Sequence, residues 1–316
     1  MALTYIFMIG CYWMFLSGAV YLTGAFAARI FITGPCGADV CILGEKERSF
    51  GEKAVPVILT VSVLTLIASL IHVVLHCSVM TGTPLPEVWD VLPLFLMKTR
   101  YGIFSLIRSG VLAVIICIVL LSSRRNAEWT GGAAFACAIA LLITLTMSGH
   151  QGTKGYLRIP FFLDIVHVLA ISLWVGGLFF VYSNYSLFCR GDDRDHHDIF
   201  LAFIHRISLM ATVCVVLVLG TGTAMCFYSF DSLVTVVSTR YGRVLLIKTG
   251  LALILMMIGG MNKFFFIPRL DRTEVKNWTS LCSLRRGLFN SLTLEVYLGL
   301  AVLLATSVLT HLSPEE

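Results

Sequence analysis

The chain has 316 residues, of which 58% are hydrophobic and 13% charged, with a mean hydropathy of +0.89 and a formal net charge of +5. A water-soluble domain carries about 45–50% apolar and about 25% charged residues, so this composition excludes a soluble globular enzyme. The excess positive charge lies between the apolar runs, where it orients a chain in a bilayer and gives no footprint for nucleic acid.

A bilayer crossing takes about 20 mostly apolar residues. Eight segments meet that requirement: about 5–31, 54–80, 101–122, 130–148, 160–188, 200–228, 241–266 and 288–311. Backbone groups in lipid must be satisfied within the element, so the segments are predicted to be helices. The expected fold is an all-α polytopic membrane bundle of eight transmembrane helices.

In the first segment Ala25-Phe26-Ala27 resembles a signal cleavage site, but no basic residue precedes Arg29 and the apolar run is long enough to span, so it reads as a retained helix. The loop after it carries Cys36 and Cys41, which could pair or bind metal, although no second pair completes a zinc-type site. Six others of the ten cysteines fall inside or at the ends of apolar runs and act there as small hydrophobes. The second segment holds His72 and His76 on one helical face, with Met80 a further turn along. The third opens with Thr99-Arg100-Tyr101-Gly102 and buries Arg108; the fourth ends in Thr146-Met147-Ser148-Gly149-His150. Asp164 and His167 lie early in the fifth segment, and the loop from Gly191 to Asp198 before the sixth reads as solvated. The seventh opens with Thr239-Arg240-Tyr241-Gly242, buries Lys248 and reaches Asn262; the eighth carries Glu295 and ends at His311.

The recurrence of the Thr-Arg-Tyr-Gly opening, with Arg108 answered by Lys248, predicts a 4+4 internal repeat with halves at about 1–145 and 146–316. Lys and Arg concentrate in the first, third, fifth and seventh connections, including Arg124, Arg125, Arg190, Arg194, Arg285 and Arg286. The positive-inside rule makes those connections cytoplasmic and puts both ends of the bundle outside.

Ionisable groups inside a membrane are costly and usually functional. Placed by depth, His72, His76, His150, His167 and His311 all fall in the outer third of the bundle. Neutral imidazole suits copper, zinc and iron, and thioethers such as Met80 and Met147 favour Cu(I). Asp164 could orient His167 from one turn away. Arg108 and Lys248 lie too deep for simple snorkelling; they could pair with Asp164, hold an anion, or hold haem propionates.

The run Leu163-Asp164-Ile165-Val166-His167-Val168-Leu169-Ala170, followed by Leu173-Trp174-Val175-Gly176-Gly177-Leu178, resembles the signature of the CopD/PcoD copper-resistance membrane proteins. Further matches are Ser148-Gly149-His150, Tyr241 to Lys248, Asn262-Lys263 with Pro268-Arg269-Leu270, and Glu295. The likeness covers about 145–311; the first half shares only its helix count. It implies an eight-helix protein of the bacterial inner membrane that handles copper with a periplasmic copper-binding partner of the CopC type, and it maps the family's polar positions onto Asp164, His167, His150, Asn262 and Glu295. Here the usual proline-rich tail is replaced by His311-Leu312-Ser313-Pro314.

The expected function is therefore non-enzymatic: an outer histidine site, helped by Met80 or Met147, takes copper from the periplasm and passes it toward Asn262 and Glu295. Two other readings stay open at this point, a b-type haem protein and a copper-binding scaffold or sensor that does not transport.

Overall fold

The computed structural model describes residues 2–33, 43–124, 129–149, 155–188, 194–229, 237–273 and 278–312. The described residues form helices and no strand. In chain order they are α1 (Ala2–Thr33), α2 (Leu43–Thr81), a 3-10 turn (Leu85–Glu87), α3 (Val88–Lys98), α4 (Arg100–Arg124), α5 (Trp129–Ser148), α6 (Ile159–Phe188), α7 (Arg194–Ser229), α8 (Arg240–Met261), a π-helical turn (Asn262–Phe266), α9 (Ile267–Arg272) and α10 (Trp278–Thr310). Eight stretches are long and apolar enough to cross a membrane, and they coincide with the eight predicted segments.

Two boundaries differ from expectation. α10 begins at Trp278, so Glu295 lies seventeen residues into the helix, about 25 Å along it, and not seven residues in. The polar run Ser280 to Gly287 masks that extension, because hydropathy reports the lipid contact and not the helix. The seventh span continues through Asn262 to Arg272, and Pro268 explains its irregularity. Proline offers no N–H and clashes with the carbonyl four residues back, so the preceding turn widens, and Ile267 N–H bonds to Asn262 O across five residues.

α3 is a helix that composition alone missed, since its 11 residues are too few to span. Val88 and Phe95 pack against Cys77 of α2, while Trp89, Leu94 and Met97 face outward, as an interfacial helix would turn them.

α1 is the central element, packed against α2, α5, α6 and α10. Its face of Phe15, Ala19, Leu22, Ala25 and Phe26 is fully buried. At the α1–α6 crossing a Cβ at Gly24 would fall on the backbone of Gly176 and Gly177, and one at Gly176 on the Val20 carbonyl. Lipid gives no hydrophobic push between helices, so such small-residue contacts supply the dispersion that holds them. The Trp174-Val175-Gly176-Gly177 signature thus has a packing role. Tyr5 Oη donates to His311 O at 2.8 Å and Ser307 Oγ to Ile9 O at 2.8 Å, which ties the start of α1 to the end of α10. The end of the bundle where they meet is called the outer end, after the orientation expected from the charges.

Candidate metal centre

α2 and α10 bring three imidazoles together at the outer end. His72 and His76 share a face of α2 through their spacing of four, with ring centroids 5.6 Å apart and stacked at 24°. His311, at the turn ending α10, approaches both at 5.5 and 6.4 Å. One ligating nitrogen from each lies within 4.8 Å of the others. Such a group can close on a single ion.

The hydrogen bonds fix which nitrogens hold protons. His311 Nδ1 is 2.8 Å from the Ser307 carbonyl, which only accepts, so Nδ1 is the donor. In the neutral ring His311 Nε2 is then a lone pair. His72 Nε2, 3.2 Å away, must donate to it, and His72 Nδ1 in turn accepts from Tyr101 Oη at 2.8 Å. A metal at the Nε2 atoms would compete with the His72 to His311 hydrogen bond. With its proton on Nδ1 instead, His72 would donate to the Tyr101 oxygen, and the ring would stay neutral and oriented. His76 Nδ1 is buried with no hydrogen-bond partner, a donor or acceptor left over for a ligand.

Aromatic rings and a cation enclose the group. Tyr12 packs 5.0 Å from His72 and 5.2 Å from His311, Tyr5 lies edge-on to His311 at 6.3 Å, Tyr101 lies 4.1 Å from His76, and Phe95 of α3 closes over His76 at 6.3 Å. His72 is only 2% exposed. Arg108, 1% exposed, stands behind them: its guanidinium donates to Ser148 Oγ at 2.8 Å and lies over Phe15 at 4.9 Å and Tyr101 at 5.9 Å. Arg108 follows Tyr101 by seven residues, so both point from one face of α4. Thr99 Oγ1 accepts from Gly102 N–H at 2.9 Å and starts that helix; Thr239 caps α8 in the same way through Gly242 N–H at 3.1 Å.

The other expected residues lie elsewhere. His167 Nδ1 is 2.9 Å from Thr221 Oγ1 of α7, apart from the three-histidine group, because α6 and α2 pack on different sides of α1. Depth was readable from the sequence and direction around the bundle was not. Asp164 is partly buried nearby, and the Lys248 ammonium is the charge that acts on both Asp164 and His167. Met80 is 68% exposed and turned from the imidazoles, and Met147 is partly buried beside Ser148. His150, Cys36, Cys41 and the side chains of His196 and His197 lie outside the described residues. His205 joins Asp271 at 2.9 Å on the opposite end of the bundle. Asn262 and Glu295 are buried deeper in the bundle than the histidine group, Glu295 about halfway along α10. Sequence reasoning missed Tyr101 and Tyr12 as neighbours of the histidines; the seven-residue link from Tyr101 to Arg108 was the available signal.

These features define a multi-pass helical membrane protein with a buried imidazole cluster at one end. Two family profiles match it: Copper resistance protein D-like, N-terminal domain, over residues 2–159, and Copper resistance protein D, over residues 201–309. The chain belongs to the copper resistance protein D family. A curated relative is the copper transport protein CutJ of Bacillus subtilis (strain 168), 26% identical over 229 residues, which are 70% of this chain and 38% of the relative. The chain thus spans about two-fifths of that protein's length. No solved structure matches. The first half, whose likeness rested on helix count alone, is matched by a profile of its own.

Proposed function

We propose that the protein takes up copper ions through His72, His76 and His311 at the outer face of a bacterial inner membrane and moves them across it, in copper resistance or homeostasis. The observation that carries this reading is the convergence of three imidazole nitrogens within 4.8 Å, from helices far apart in the chain, in a member of a copper-resistance family. Copper heads the affinity order of divalent first-row metals at nitrogen ligands, and a trio of neutral imidazoles also accommodates the monovalent ion. Copper is the cargo, and no catalytic step is assigned to it.

Tyr101 holds His72 in the tautomer that each state needs. Met147 and His150 follow the Arg108 partner region at the end of α5 and serve as entry ligands, and a separate periplasmic protein of the CopC type delivers the ion. Asp164, His167 and Lys248 form a second polar group between α6, α7 and α8.

The test is the metal content and absorption spectrum of the purified protein, for the wild type and for His72→Ala, His76→Ala and His311→Ala. Copper bound by the wild type and lost from each variant, without a Soret band, supports the reading. A Soret band, or copper stoichiometry indifferent to all three changes, sinks it. Cellular copper accumulation with and without expression separates import, export and a non-transporting scaffold.

A further inference from the structure

A second chemistry lies about halfway along α10, toward the inner end from the histidine group. His311 and Glu295 are sixteen residues apart, which at about 100° per residue puts them on opposite faces of the helix. Glu295 therefore turns away from the histidine group into a cavity of about 250 Å³ between α6, α7, α10 and the π-helical turn, roomy enough for several waters. Trp174, Leu178 and Val181 line it from α6, on the same helical face as His167.

Within this mostly apolar space stand two buried polar side chains. Glu295 is 5% exposed, and Gly259 supplies its room, since a Cβ there would come within 3.2 Å of Glu295 Oε1. Asn262, 6% exposed, lines the cavity from the widened turn, and neither its Nδ2 nor its Oδ1 has a hydrogen-bond partner. π-helical turns recur at functional sites, and this one brings Asn262 toward Glu295.

The donor set is oxygen and amide, with Lys263 at the rim donating to Thr212 Oγ1 at 2.5 Å. The charged or titratable groups lining the space are Glu295 and Lys263; α6 contributes none and α7 only the hydroxyls of Ser208 and Thr212. On the same end, outside the lining, stands the His205–Asp271 pair. Beyond its oxygen and amide groups the lining offers copper a single soft donor, the Met256 thioether of α8, with no thiolate or imidazole to complete a ligand set, and the Lys263 ammonium at the rim opposes a divalent ion. A proton needs neither. Asn262 can serve both states of the carboxyl: Nδ2–H donates to the carboxylate, and Oδ1 accepts from the acid O–H.

We propose that the Glu295–Asn262 cavity is a proton site, in which Glu295 takes a proton from water entering at the Lys263 side and returns it as copper moves. The coupling to copper rests on the transport reading above; the proton site does not.

The test uses the full chain in lipid nanodiscs and reads infrared difference spectra between low and high pH, in water and in deuterium oxide. Expected is a carboxylic C=O band that titrates, shifts on deuteration, is absent in Glu295→Gln and is moved in frequency by Asn262→Ala. Glu295→Gln should keep the copper stoichiometry of the wild type, which also shows that it folds. In proteoliposomes with a trapped pH dye, copper entry should change internal pH in the wild type and not in this variant. A band that survives Glu295→Gln overturns the proposal, as does one that does not exchange with solvent. Loss of copper from Glu295→Gln makes the cavity a second metal station and overturns it too. If the wild type binds no copper yet the Glu295 band titrates, the transport reading fails and the proton site stands.

Discussion

Imidazole rings in contact would ordinarily compete for protons, and here a fixed chain of donors, Tyr101 to His72 to His311 to the Ser307 carbonyl, resolves the competition. Copper held at His72 Nε2, as proposed above, would reverse the His72 tautomer, and Tyr101 would then exchange donor for acceptor. Tyr101→Phe is expected to weaken copper binding by about 10–100-fold, the usual cost of losing such a supporting partner, with stoichiometry retained at saturating metal. Competition titration with a chelating dye measures this. Met80, turned outward, predicts the opposite outcome: Met80→Ala leaves copper affinity within experimental error. At this scale the sequence showed which residues were chemical, through their cost in a membrane. Their grouping was harder to see. His72 and His76 were legible as a pair from their spacing, but His311 joins them only through the packing of α10 on α1, and His167 parts from them because α6 packs on α1 and α10 without comparable packing on α2.

Helices in this bundle are positioned by absences as much as by side chains. At Gly24 and Gly176 the backbones of α1 and α6 touch, and the space is already filled. Gly176→Leu would force them apart; overpacking costs about 1–3 kcal/mol where neighbours can yield and more where the obstacle is backbone. The expected result is a lower midpoint of thermal unfolding in detergent than that of Gly177→Ala, whose added Cβ meets only the flexible end of Met210 at 3.0 Å. Hydropathy located every span, because lipid contact is a property of twenty-residue windows. It could not see α3, too short to span, nor the first turns of α10, whose Arg285 and Arg286 disguise a helix that has already begun.

Considered whole, the molecule does not divide at the site. One family profile ends at residue 159, yet two of the three clustered imidazoles lie before that boundary and the third far beyond it. α1 also packs against helices from both portions. A fragment comprising residues 1–159 is therefore predicted to insert but to bind copper weakly or not at all, and co-expression of the remainder to restore binding, as read by metal analysis after affinity purification. The repeated Thr-Arg-Tyr-Gly openings share a helix cap, and each leads to a cation, the buried Arg108 beside the histidine group and the partly buried Lys248 beside Asp164 and His167. Only the first of these cations stands beside clustered imidazoles, so the likeness in sequence has been turned to different chemistry.

The hydrogen bond between His72 and His311 joins positions 239 residues apart. During synthesis the α2 histidines enter the membrane early and stay without their third companion until α10 emerges. The three-imidazole group is thus completed only once α10 is in place. A chain halted before α10 holds an incomplete imidazole pair. If the three histidines bind copper as proposed, copper loading would report the insertion of α10, readable on ribosome-bound chains arrested on either side of that helix.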